Sequence, residues 1–66
     1  MEKGTVKSYD KISGTGMISR ASNGDVNFYA DGIIGKGRLG LSQGDAVWFE
    51  VDNVNNIHRA INVRKA

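Results

Sequence analysis

The sequence predicts an all-β domain, and three observations carry that prediction. Apolar and polar residues alternate over short runs such as Met17–Arg20, Val26–Tyr29 and Ala46–Asp52, which is the period of a strand with one buried face. No apolar pattern of helical period extends beyond about two turns. Nine glycines, no proline and an Asn23-Gly24 pair supply the turns between the runs.

In chain order, Gly4 to Tyr9 is the first expected strand, and Asp10 suits the turn that ends it. Lys11 to Gly16 reads as a short polar link. In Met17–Arg20, Ile18 is expected inward and Met17 and Ser19 outward. Asn23-Gly24 is the strongest hairpin signal, because both residues tolerate the positive φ of a type I′ turn. After it, Val26 and Phe28 should face in, Asn27 and Tyr29 out. Asp31 to Gly44 holds five glycines and reads as a long connection that tucks in Ile33, Ile34, Leu39 and Leu41 as aliphatic anchors, a length that often accompanies function. Ala46–Asp52 is the cleanest strand, with Val47, Phe49 and Val51 inward and Trp48 and Glu50 outward. Asn53 to Asn56 is expected to turn, and Arg59–Arg64 closes the chain with Ile61 and Val63 inward. Five short strands, the first three hairpin-linked and a long connection before the fourth, fit a five-stranded antiparallel OB-type β-barrel. The inward set Val6, Ile18, Val26, Phe28, Ile33, Val47, Phe49, Val51, Ile61 and Val63 is about enough to fill it.

The totals narrow the function classes. A chain of 66 residues is expected to form a single domain over 1–66, because a chain of this size buries only about 60% of its unfolded surface and cannot support two cores. Without cysteine there is no disulfide or thiolate metal site, which fits a reducing cytoplasm, and a single histidine argues against zinc. No apolar run follows the charges of M-E-K-G-T-V-K, and none reaches about 18 residues, so neither a signal peptide nor a membrane span is expected. No nucleophile–base pair or metal set can be assembled, so neither an enzyme nor a cofactor is expected. The net charge of +2 is compatible with a polyanion, but Lys and Arg are spread rather than clustered.

From end to end, and without a gap, the chain resembles the bacterial cold-shock domain. The marks are G-T-V-K (Gly4–Lys7), G-T-G-M-I (Gly14–Ile18) in place of the family's first ribonucleoprotein motif and V-N-F-Y (Val26–Tyr29) in place of the second. I-x-G-x-G (Ile33–Gly37), G-D-A-V-W-F-E-V (Gly44–Val51) and A-I-N-V (Ala60–Val63) match the family's loop and last two strands. The resemblance implies an OB barrel that binds single-stranded RNA or DNA by stacking bases on aromatics beside a basic groove, as an RNA chaperone or a regulator of transcription or translation. The departures fall on that stacking surface. Ser8 stands where the family presents tryptophan, Thr15 and Met17 where it stacks aromatics, and Ser13 where it has lysine. Asn27 replaces an aromatic, Tyr29 a histidine, Ala30 another aromatic and Arg38 the loop aromatic.

Each base stack is worth roughly 1–3 kcal/mol, so the loss of about five removes some 5 kcal/mol at the low end, more than a thousandfold in affinity. Partial recovery is expected from Tyr9 and Tyr29 by stacking, Met17 by its polarizable thioether and Arg38 by its guanidinium plane. Lys7, Lys11, Lys36 and Arg59 are candidate phosphate contacts. With Asp10 and Asn27 on the same face, the expected site is Lys7, Tyr9, Asp10, Met17, Asn27, Tyr29, Arg38 and Arg59, binding weakly and with little sequence preference. Trp48 does not belong to that face. Alternation places it outside on the fourth strand near Lys3 and Arg64, where it either lies under cation–π contacts or meets a protein partner or second copy. A diverged barrel that has exchanged base stacking for protein contact, through Trp48 or the glycine-rich loop, is the alternative expectation.

Overall fold

The computed structural model describes residues 1–21, 24–34 and 41–66. Its strands are β1 (Glu2–Asp10), β2 (Thr15–Ser19), β3 (Val26–Tyr29), β4 (Ala46–Val54) and β5 (Ile57–Lys65), with a 3₁₀ turn at Ala30–Gly32 after β3. They close into a barrel in the order β1-β2-β3-β5-β4, the all-β OB-type architecture expected from the alternation. Four pairings are antiparallel, and the β3–β5 seam, with Asn27 opposite Arg59 and Phe28 opposite Ala60, is parallel. A ring with an odd number of strands cannot alternate direction all the way round, so one parallel seam is required.

Val6, Ile18, Leu41, Val47, Phe49, Phe28 and Val63 are sealed from solvent, and Val26, Ile33 and Ala60 complete the core. Two of the expected inward residues differ. Between the pairs Trp48–Arg64 and Glu50–Ile61, two steps along β4 meet three along β5, and the bulge includes Asn62 at φ +52°. The extra residue inverts the alternation of β5, so Ala60 and Val63 are buried while Ile61 is only half-buried. Val51, opposite Ala60, packs against the core without being sealed.

The connection after β3 contributes Ile33, bridged in parallel to Val63, and the fully buried Leu41. Ile34 is an exception to the expected anchors. Its amide donates to Val63 O at 2.9 Å, but its side chain is exposed. Leu39 lies outside the described residues. The turn expected over Asn53–Asn56 is shorter: Asn53 and Val54 extend β4, and Asn55 and Asn56, at φ +53° and +64°, make a two-residue hairpin. Of the other expected hairpin pair, Asn23 lies outside the described residues, and Gly24 has φ +73°.

Candidate nucleic-acid interface

A bulge on β1 organises the outer face of the first three strands. Val6 lies opposite Ile18 and Ser8 opposite Met17, so Lys7 is the extra residue. Beyond it the alternation of β1 is inverted. Ser8 faces out, and Tyr9 turns half inward with its ring centroid 5.3 Å from that of Phe28. Gly16, opposite both Tyr9 and Phe28, makes this packing fit, since a Cβ there would lie 2.5 Å from the Phe28 ring and 2.6 Å from Ser8 O.

The register then lays outward side chains in rows across the sheet. One row runs Ser8, Met17, Asn27, Arg59, Asp52 over all five strands, and a shorter one runs Asp10, Thr15, Tyr29. Between them is an open groove of about 540 Å³ lined by Ser8, Tyr9, Asp10, Thr15, Gly16, Met17, Asn27, Tyr29 and Gln43. Five of the expected site residues meet here: Tyr9, Asp10, Met17, Asn27 and Tyr29. Arg38 lies outside the described residues.

Three charged candidates have assigned contacts. Lys7 Nζ donates to Asp25 Oδ2 at 2.7 Å. Arg59 Nε is 3.9 Å from Asp52 Oδ2, an ion pair without a hydrogen bond. Both pairs are largely solvated, and such pairs are worth about 0–1 kcal/mol, so a phosphate can replace the carboxylate at little cost. Asp10 works inside its own turn: its Oδ1 accepts from the amides of Ile12 at 2.9 Å and Ser13 at 3.3 Å. These backbone bonds hold its carboxyl below the usual value. The turn closes through Gly14 N to Asp10 O at 2.8 Å with Gly14 at φ +74°, and Gly14 O accepts from Ala30 N at 2.8 Å. That link ties the turn to the end of β3 beside Tyr29.

A second groove, of about 770 Å³, shares Tyr29 with the first and passes between this turn and the β4–β5 hairpin. Ile12, Val54 and Ile57 form its apolar wall, 99%, 53% and 66% exposed, with Lys11, Asp31 and Arg59 also on the lining. This groove was not legible as a unit. Ile12 sits in a link that reads as polar, and only the two turns bring it beside Val54 and Ile57. Gln43 was likewise missed, since nothing in its local sequence marks it.

Trp48 is on the opposite wall, where Lys3 of β1 and Arg64 of β5 flank it in register. The Lys3 ammonium is 5.5 Å from the ring centroid. Among the described residues no cluster of His, Asp and Glu could hold a metal ion, and no helix is long and apolar enough to cross a membrane.

The fold agrees with the comparisons to known proteins. The 'Cold-shock' DNA-binding domain family profile matches residues 2–66. The chain is 36% identical to Cold shock protein CspC of Bacillus subtilis (strain 168) over 66 residues, all of both chains.

Proposed function

The chain belongs to the cold-shock domain family, and from that premise we propose that it binds single-stranded RNA or DNA weakly and with little sequence preference across the β1–β2–β3 face. The observation that carries the proposal is the composition of the groove. It keeps Tyr29, Met17 and the edge of Tyr9 as surfaces for bases, and the cations proposed for phosphates adjoin its lining, Lys7 next to Ser8 in the chain and Arg59 opposite Asn27. It presents Ser8, Thr15 and Asn27 where further stacking surfaces would be needed for tight binding. The second groove gives a strand that passes Tyr29 a further apolar wall at Ile12, Val54 and Ile57.

Transient contacts of this kind suit an RNA chaperone, which must release strands as readily as it opens them, or a regulator of transcription or translation in the cytoplasm. Catalysis forms no part of the reading. The test is a titration with heptathymidine and with a pyrimidine-rich RNA at physiological salt. The expected dissociation constant is micromolar or poorer for both, falling steeply in affinity as salt rises. A nanomolar constant at that salt overturns the weak-binding reading, and no binding by either strand overturns the function itself.

A further inference from the structure

We infer that the β1–β4–β5 wall carries a second site for single-stranded nucleic acid, built from Trp48 with Lys3 and Arg64 on its two sides. It rests on the reading that single strands are the ligand, but uses none of the residues of the first site. Trp48 points out from the middle of three paired strands and is 37% exposed, so part of the indole is presented to solvent. Lys3 lies directly opposite it on β1 and Arg64 directly opposite on β5, so the row reads cation, aromatic, cation across the wall. This is the combination that single strands engage, a stacking platform with phosphate contacts on either side.

The charges favour this ligand over a protein surface. Among the described residues neither Lys3 nor Arg64 pairs with a carboxylate: Glu2 faces Arg20 at 3.5 Å, Asp45 faces Lys65 at 3.6 Å, and Arg64 Nη2 donates only to Met1 Sδ at 3.3 Å. Glu50 shares the outward side of β4, but it is opposite Ile61 rather than either cation. Of the exposed aliphatics that would broaden a protein interface, Ile12, Val54 and Ile57 gather at the other groove, while beside this wall Met1 is held by Arg64 and Ile34 by the backbone of Val63. The Lys3 ammonium at 5.5 Å from the ring is at the outer range of cation–π contact. Its flexible stem lets it leave the ring for a phosphate as a base arrives.

Trp48 is the chain's one tryptophan, so fluorescence excited beyond the absorption of Tyr9 and Tyr29 reports this wall. Titration of the ¹⁵N-labelled full chain with heptathymidine reads both faces together. The expected result is quenching of Trp48 and amide shifts at Lys3, Trp48 and Arg64, alongside separate shifts at Met17 and Tyr29. Trp48→Thr should weaken the back-wall shifts about tenfold. Lys3→Gln and Arg64→Gln, which keep the indole, should each lower the salt slope of that phase by about 0.7. All three should leave Met17 and Tyr29 titrating as before. Silence at Trp48, Lys3 and Arg64 while the front face saturates overturns this inference and leaves the first site standing. Back-wall binding with a silent front face does the reverse. Sedimentation showing Trp48-dependent dimers that exclude the strand also overturns it.

Discussion

Lys7 and Asp25 are joined by a 2.7 Å ion pair across a separation of 18 residues, which ties the bulge of β1 to the residue just before β3. The pair holds the ammonium beside the start of β3, where the carboxylate competes with any phosphate for it. Being solvated, it contributes about 0–1 kcal/mol to stability. Asp25→Asn should therefore change the urea midpoint little and tighten heptathymidine binding severalfold, because Lys7 no longer has to leave a carboxylate to engage phosphate, whereas Lys7→Gln should lower the salt slope by about 0.7. Weaker binding in Asp25→Asn would show that the pair positions Lys7 rather than occupying it.

Tyr29 is common to both grooves, so its removal should affect a strand along its whole path. Tyr29→Ala is expected to cost about tenfold in affinity. In the opposite direction, Ser8→Trp and Asn27→Phe place aromatics on outward, exposed positions of the same face. Each should gain about tenfold in a fluorescence or shift titration. Unchanged affinity in both would mean that stacking does not limit binding here.

Gly16→Ala should be among the most damaging single-methyl changes in the sheet, because the added Cβ would meet the Phe28 ring at 2.5 Å and Ser8 O at 2.6 Å. The ring is sealed in the core and the carbonyl belongs to the paired strand, so neither can withdraw. Overpacking of this kind costs about 1–3 kcal/mol. In a domain of this size each kcal/mol lowers the melting midpoint by roughly 4–8 °C, and thermal denaturation followed by circular dichroism would measure it.

Asp10 gives the turn an acid limb. Its carboxyl is held below the ordinary value of 3.8 by the amides of Ile12 and Ser13 and by the Ser13 hydroxyl, so the folded state favours the charged form. The stability it contributes is present in full above that ordinary value and is lost as the pH falls through the lowered folded value. Asp10→Asn keeps an oxygen acceptor for both amides but cannot titrate, and should flatten the acid limb of a urea-midpoint profile. Asp10→Ala should lower the midpoint at neutral pH as well.

What the sequence by itself determined was set by short-range rules. Alternation located the strands and correctly turned Val6, Ile18, Val26, Phe28, Val47, Phe49 and Val63 inward, because a pleated strand has a period of two residues and each run was bounded by turn residues. The motifs in register gave the family, and the outward parity of Lys3, Trp48 and Arg64 placed them on one wall. Only the tertiary structure decided where that period breaks. The bulge at Lys7 turned Tyr9 onto Phe28, and the one that includes Asn62 buried Ala60 in preference to Ile61. In each case a strand must bend for the barrel to close, and a closure constraint is absent from any local window. The grooves are decided in the same way. Tyr29, Ile12, Val54 and Ile57 become neighbours through two turns and a parallel seam, contacts between residues far apart in sequence that no spacing along the chain encodes.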